Sequence, residues 1–62
     1  MRLIQIIAED GHLLAINPGN VLFVSTVPEN PKITRIILQP AVEVRTKENI
    51  SLVIDEINKE LQ

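Results

Sequence analysis

Leu3-Ile4-Gln5-Ile6-Ile7-Ala8, near the start of a chain of 62 residues, puts aliphatic side chains on both faces of a strand. A half-buried strand alternates apolar and polar residues, because successive side chains point to opposite faces of the sheet. Here only Gln5 interrupts the apolar run. So short a chain has little mass with which to cover both faces of its own sheet. A domain of this size buries only ~60% of the surface that its unfolded chain exposes. The second face is therefore expected to be covered by another copy or by a partner, unless the sheet curls into a small barrel and covers both faces itself.

Disulfides and structural metals are the other remedies for a small core. The chain has no cysteine and one histidine, His12. It can build neither a disulfide nor a site of several thiolates or imidazoles, and no cofactor is expected. Phe23 is the only aromatic residue in a chain that is 45% hydrophobic, so the core must be aliphatic. The absence of cysteine fits a cytoplasmic location. A cleaved leader is not expected, because Gln5 breaks the first apolar run and Glu9-Asp10 follow it. No stretch approaches the ~18 apolar residues of a membrane span.

Six Lys and Arg face eight Asp and Glu, a formal net charge of −2. The cations Arg2, Lys32, Arg35, Arg45, Lys47 and Lys59 are scattered along the chain. Duplex binding rests on a clustered basic patch that releases counterions, and single-strand binding on aromatic platforms. Neither is present, so nucleic acid is not an expected partner.

Local patterns divide the chain into five strands and a helix within a single domain over 1–62. The strands are expected at about 2–8, 12–16, 21–27, 33–39 and 42–46. Asp10-Gly11 predicts a two-residue hairpin turn of type I′, which needs positive φ at both central positions. Asn17-Pro18-Gly19-Asn20 predicts a type II turn, with φ preset by Pro18 and positive at Gly19. Pro28-Glu29-Asn30-Pro31-Lys32 reads as a stiff loop and a candidate recognition loop. Gln39-Pro40-Ala41 turns the chain into the fifth strand. Then the period changes. Ile50, Val53, Ile54, Ile57 and Leu61 form one helical stripe over about 50–61, with Leu52 off it. Asn49 is placed to cap this helix, and Asp55 with Lys59 to pair along it. The fold class is α+β: an antiparallel meander of four to five strands with one C-terminal helix packed on one face.

The order of these signals resembles the FlbD family of small flagellar-operon proteins and related short bacterial and phage proteins. Asp10-Gly11 matches the family's turn, Leu14 and Ile16-Asn17-Pro18 its second strand and exit, and Val21 and Val24 a spaced aliphatic pair. Thr34, Ile36 and Leu38 match its fourth strand, and Val53 its helix core. The resemblance implies the fold and no known active site. The chain departs from the family at Leu22, where a polar or acidic residue is usual, at Phe23, where a small polar one is usual, and at Pro40-Ala41, where a Gly turn is usual. The strand-and-turn pattern is also similar to LytTR-type DNA-binding domains, which implies a DNA-binding regulator; the low basic content argues against that role.

No catalytic constellation is legible. His12 lacks a serine, a cysteine or a second histidine as a partner. Glu9-Asp10, Glu43 and Glu48 read as solvated carboxylates, since acid–base pairs need a cleft that perturbs them. The Asn17–Asn20 turn lacks the Lys and helix start of a phosphate-binding loop. The chain is not expected to be an enzyme. The apolar faces carry more information. If Ile4, Ile6, Leu14, Ile16, Ile36, Leu38 and Val44 face the helix, alternation puts Leu3, Ile7, Leu13, Phe23 and Ile37 on the other side, with Val27 and Ile33 as further candidates. With Leu22, these five form the expected interface of a homodimer or higher oligomer. The expected function is that of a non-catalytic interaction or assembly protein that associates through this outer sheet face or through an edge strand. The alternative is a protein that binds or sequesters a small nucleotide-like anion between subunits, with Arg35, Arg45 and Lys47 as anion contacts.

Overall fold

The computed structural model describes residues 2–62. In chain order the elements are β1 (Ile4–Ile7), β2 (Leu13–Ile16), a 3₁₀ turn (Pro18–Asn20), β3 (Val21–Val27), β4 (Asn30–Leu38), β5 (Val42–Thr46) and α1 (Ile50–Leu61). This is the α+β arrangement that the change of period predicts: five antiparallel strands followed by one helix.

The strands form two sheets, β1-β2 and β3-β4-β5. The meander breaks between β2 and β3, where Pro18 starts a 3₁₀ turn. Asn17 caps that turn, its side-chain oxygen accepting from Gly19 N at 2.9 Å. Gly19 is therefore not at positive φ, as a type II turn would require; Gly11 is the one residue with positive φ among those described. The sheets meet at a single antiparallel bridge between Ala8 and Thr46, reinforced by Glu9 N donating to Arg45 O at 2.7 Å. The spatial order is thus β2-β1, a corner, then β5-β4-β3.

The first hairpin also differs from a type I′ turn, because Asp10 does not adopt positive φ. Gly11 N donates to Ala8 O at 2.9 Å and Ala8 N donates to His12 O at 2.7 Å. This is a three-residue loop in which a tight turn is followed by a left-handed glycine, at φ 96°. Gly11 is needed there because a Cβ penalises that conformation.

The expected loop at 28–32 shrinks to a turn at Pro28-Glu29, and β4 begins at Asn30. Pro31 is tolerated because the β3–β4 register jumps from Val27↔Asn30 to Thr26↔Thr34, leaving residues 31–33 without a partner on β3. The Asn30 side chain accepts from Lys32 N at 3.1 Å and holds this irregular start. At the other end of β4, the Gln39-Pro40 peptide in the turn to β5 is cis.

The core lies between the two sheets and α1. Ile4 and Ile6 of β1, Ile16 of β2, Ile36 of β4, Val44 of β5, and Val53 and Ile57 of α1 form one buried cluster, with Leu14, Val21, Val24 and Leu38 packed against it. Ile4, Ile6, Leu14, Ile16, Ile36, Leu38 and Val44 are the residues that alternation assigns to the helix side; Val21 and Val24 of β3 join them. Burying one such side chain contributes about 1.5–3 kcal/mol. Val27 and Ile33, which alternation places on the opposite side, are also buried, outside that cluster. Two buried threonines fix the corner. Thr34 Oγ1 donates to Glu48 O at 2.8 Å, and Thr46 Oγ1 donates to Ile7 O at 2.7 Å while accepting from Glu48 N at 3.2 Å.

Asn49 caps α1, its side chain accepting from Ser51 N at 2.8 Å. The helix buries Val53 and Ile57 only. Ile50 is half-buried, and Ile54 and Leu61 of the same stripe stay exposed together with Leu52. The Asp55–Lys59 pair is not formed: the ion pairs among the described residues join His12 to Asp10 and Glu43 to Arg35 and Arg45.

Candidate interaction surface

The residues expected at an interface lie on the outer faces, in two groups. Ile7 and Leu13 are register partners across β1 and β2, 56% and 65% exposed, while Leu3, just before β1, is 59% exposed and lines a groove beside α1. Phe23 and Ile37 are register partners across β3 and β4. Phe23 is 51% exposed and Ile37 half-buried. Leu22 is exposed next to Phe23 because the register shifts between Val21 and Phe23. Strict alternation would have turned one of the two inward; the irregularity turns out both.

Between the groups runs a charged strip. β5 turns Val44 and Thr46 inward, so Glu43 and Arg45 face outward. They lie opposite Ile37 and Arg35 respectively. Glu43 takes a hydrogen bond from Arg45 Nε at 2.5 Å and lies 3.5 Å from Arg35 Nε. The Arg35 contact is an ion pair without hydrogen-bond geometry, and Arg35 Nε is otherwise buried without a partner. The expected apolar face is therefore not continuous: the polar strip of β5 separates the Ile7–Leu13 group from the Leu22–Phe23 group.

The same strip decides the geometry of the candidate anion contacts. Arg35 and Arg45 do come together as register partners. The Glu43 carboxylate already sits against both, in the position that an anion would take. Lys47 lies beyond the end of β5, in the loop before α1. The hydrogen bond from Arg45 holds the Glu43 carboxyl below its usual range, and the same bond raises the Arg45 guanidinium further. A depressed carboxyl stabilises the fold above its unfolded pKa, and that contribution disappears as pH falls through its folded value. Glu43→Gln is expected to lower the melting temperature slightly at about pH 7 and by progressively less as the pH is brought down toward about 3. Thermal unfolding followed by circular dichroism at both pH values checks this; an equal deficit at both would show that the charge of Glu43 is not the cause.

The remaining polar candidates are structural or solvated. His12 Nδ1 lies 2.9 Å from Asp10 Oδ2 at the exposed tip of the first hairpin. The backbone hydrogen bond from His12, followed by its side-chain bond, lowers the Asp10 pKa. Glu48 accepts from Ile7 N at 3.4 Å. Among the described residues no three His, Cys, Asp or Glu side chains are placed to share a metal ion, and no helix is long and apolar enough to cross a membrane.

Sequence reasoning offered an edge strand as an interface without saying which strand; the structure gives β3 an open edge. This strand pairs with β4 on one side and with no strand on the other. Val21-Leu22-Phe23-Val24-Ser25-Thr26-Val27 contains no charge and no proline, and that composition was legible. Its position at a sheet edge was not, because the 3₁₀ turn that removes β2 from its side reads in sequence as a simple reversal.

No protein-family model matches the chain, and neither a curated protein nor a solved structure is similar to it.

Proposed function

We propose that this chain is a non-catalytic interaction protein that associates with a second copy of itself through the edge of β3. The observation that carries this reading is an uncharged seven-residue edge strand on which Leu22 and Phe23, the only aromatic residue, are exposed. An open strand edge presents unpaired N–H and C=O groups, and natural proteins usually blunt it with charge or proline. β3 has neither, and its two register irregularities, at Val21/Phe23 and at Thr26/Val27, are its only such devices.

Antiparallel pairing of β3 with its own copy about a two-fold axis sets no like charges opposite each other. Such an interface is closed, because the same patch serves both partners. A stable interface takes roughly 800 Å² from each partner, about a fifth of the 4366 Å² that this chain exposes. Edge pairing alone is narrow, so Leu22, Phe23 and the half-buried Ile37 supply the apolar area beside the seam. The positions that carry the FlbD-like resemblance are turn and core positions, which agrees with a role without an active site.

The test is native mass spectrometry with size-exclusion chromatography and light scattering at low micromolar concentration. The wild-type chain is expected to be a dimer. Phe23→Lys and Leu22→Lys are expected to be monomers with an unchanged circular dichroism spectrum, since neither side chain belongs to the core cluster. A wild-type monomer, or a dimer that survives in both variants, overturns this reading.

A further inference from the structure

Besides the outer edges of β2 and β3, one stretch of β1 stands open on the side away from β2. Ala8 N donates to His12 O, so the even-numbered residues of β1 turn their backbone groups toward β2. By antiparallel alternation, Gln5 and Ile7 turn theirs away. Both groups of Ile7 are taken: its N–H by Glu48 Oε2 and its C=O by Thr46 Oγ1. Just before the strand, Arg2 N donates to Glu60 Oε1 at 3.1 Å. Gln5, between these points, has no such partner among the hydrogen bonds of the described residues.

The reason lies in the chain path. β5 meets β1 at Ala8–Thr46. An antiparallel continuation of β5 would run alongside Gln5. Instead the chain turns at residues 47–49 into α1. The place of the missing strand is a groove of about 420 Å³ between β1 and α1. Leu3 and Leu52 give it apolar walls, and Glu48, Glu56 and Glu60 line it against a single cation, Arg2. Two of these carboxylates, Glu48 and Glu60, accept backbone N–H groups from the chain around β1, as the carbonyls of a neighbouring strand would.

We infer that this groove takes an extended basic segment of a partner protein, which adds as a short strand to the free edge of β1. The backbone groups of Gln5 call for a strand. The two leucines suit aliphatic side chains projecting on one side of it. Three carboxylates against one guanidinium suit Lys or Arg on the other, and such complementarity sets partner choice and on-rate. The groove is on a different sheet from the β3 edge, so this inference stands independently of the self-association above.

The probe is the peptide Lys-Val-Lys-Val-Lys, titrated at low salt into the isotopically labelled chain while amide resonances are followed. Saturable shifts are expected at Leu3, Gln5 and Leu52. Glu56→Gln combined with Glu60→Gln, with an unchanged circular dichroism spectrum, is expected to weaken binding about fivefold or more. The same peptide with alternate backbone nitrogens methylated keeps its charge but cannot complete the ladder, and is expected not to bind. Equal binding of the methylated peptide would reduce the groove to a charged surface and overturn strand addition. Equal binding of Glu-Val-Glu-Val-Glu, or shifts that spare Gln5, would overturn the choice of partner and the choice of site.

Discussion

Replacing Ile36 with alanine is expected to abolish cooperative folding, or to leave a fold close to its limit at room temperature. Ile36 is fully buried at the centre of β4, paired with Val24 on one side and Val44 on the other. It belongs to the cluster that joins both sheets to Val53 and Ile57 of α1. An Ile→Ala change in such a site costs about 2–5 kcal/mol. A domain of this length has a total stability of about 3–9 kcal/mol, so one substitution removes most of it. The neighbouring Ile37 is half-buried on the opposite face, and Ile37→Ala is expected to cost about 1 kcal/mol or less. Ile36→Val, at about 0.5–1.5 kcal/mol, gives a folded variant from which the direction can be read if Ile36→Ala cannot be studied. Urea titration followed by circular dichroism orders the three. Because a one-residue slip moves every side chain of a strand to the other face, equal effects at Ile36 and Ile37 would show that the register of β4 is wrong.

That contrast rests on alternation, which was the part of the fold most legible in the sequence. The inward faces of β1, β2, β4 and β5 follow a period of two, and α1 follows a period near four from its Asn49 cap. Alternation failed where the backbone is irregular. The shift at Leu22 exposes two consecutive apolar residues, and the unpaired residues 31–33 let β4 start ahead of a proline that reads as a loop. Turn types were less legible than turn positions. Asp10-Gly11 and Asn17–Asn20 are both reversals, but whether a glycine takes positive φ depends on hydrogen bonds that form only in context, such as Gly19 N to the Asn17 side chain. The stripe on α1 overstates burial, because two small sheets cover only its Val53–Ile57 line. The candidate surface was legible as a set of residues and not as a shape. Glu43 and Arg45 look like ordinary solvated charges in sequence, and only the order of the strands puts them between the two apolar groups. The corner at Ala8–Thr46 was not legible at all, since it joins residues far apart in the chain through side chains that read as unremarkable threonines.

Thr46→Val tests that corner, with an expected loss of about 1–3 kcal/mol. Valine matches threonine in shape, so the packing of a fully buried position is preserved and only the hydroxyl is removed. That hydroxyl donates to Ile7 O and accepts from Glu48 N. It therefore ties the end of β1, the end of β5 and the approach to α1 with a single oxygen. Without it, the carbonyl and the amide each lose a partner beside a buried methyl group, and a polar group stranded in this way costs more than an average hydrogen bond contributes. At ~4–8 °C per kcal/mol for a domain of this size, the melting temperature should fall by roughly 5–20 °C. Thr34→Val is expected to cost less, because Thr34 makes one such bond, to Glu48 O. Thr46→Ser keeps the oxygen and should recover part of the loss. Amide exchange separates a local opening from a general one: the Glu9 amide, bonded to Arg45 O across the corner, should lose protection in Thr46→Val before the core amides of β4 do. The same variant should weaken the Lys-Val-Lys-Val-Lys peptide, because Glu48 is placed against β1 through this oxygen. A Thr46→Val chain as stable as the wild type would mean that apolar contacts alone hold the two sheets together, and that the corner is a consequence of the packing of Ile6, Ile36 and Val53 and not one of its supports.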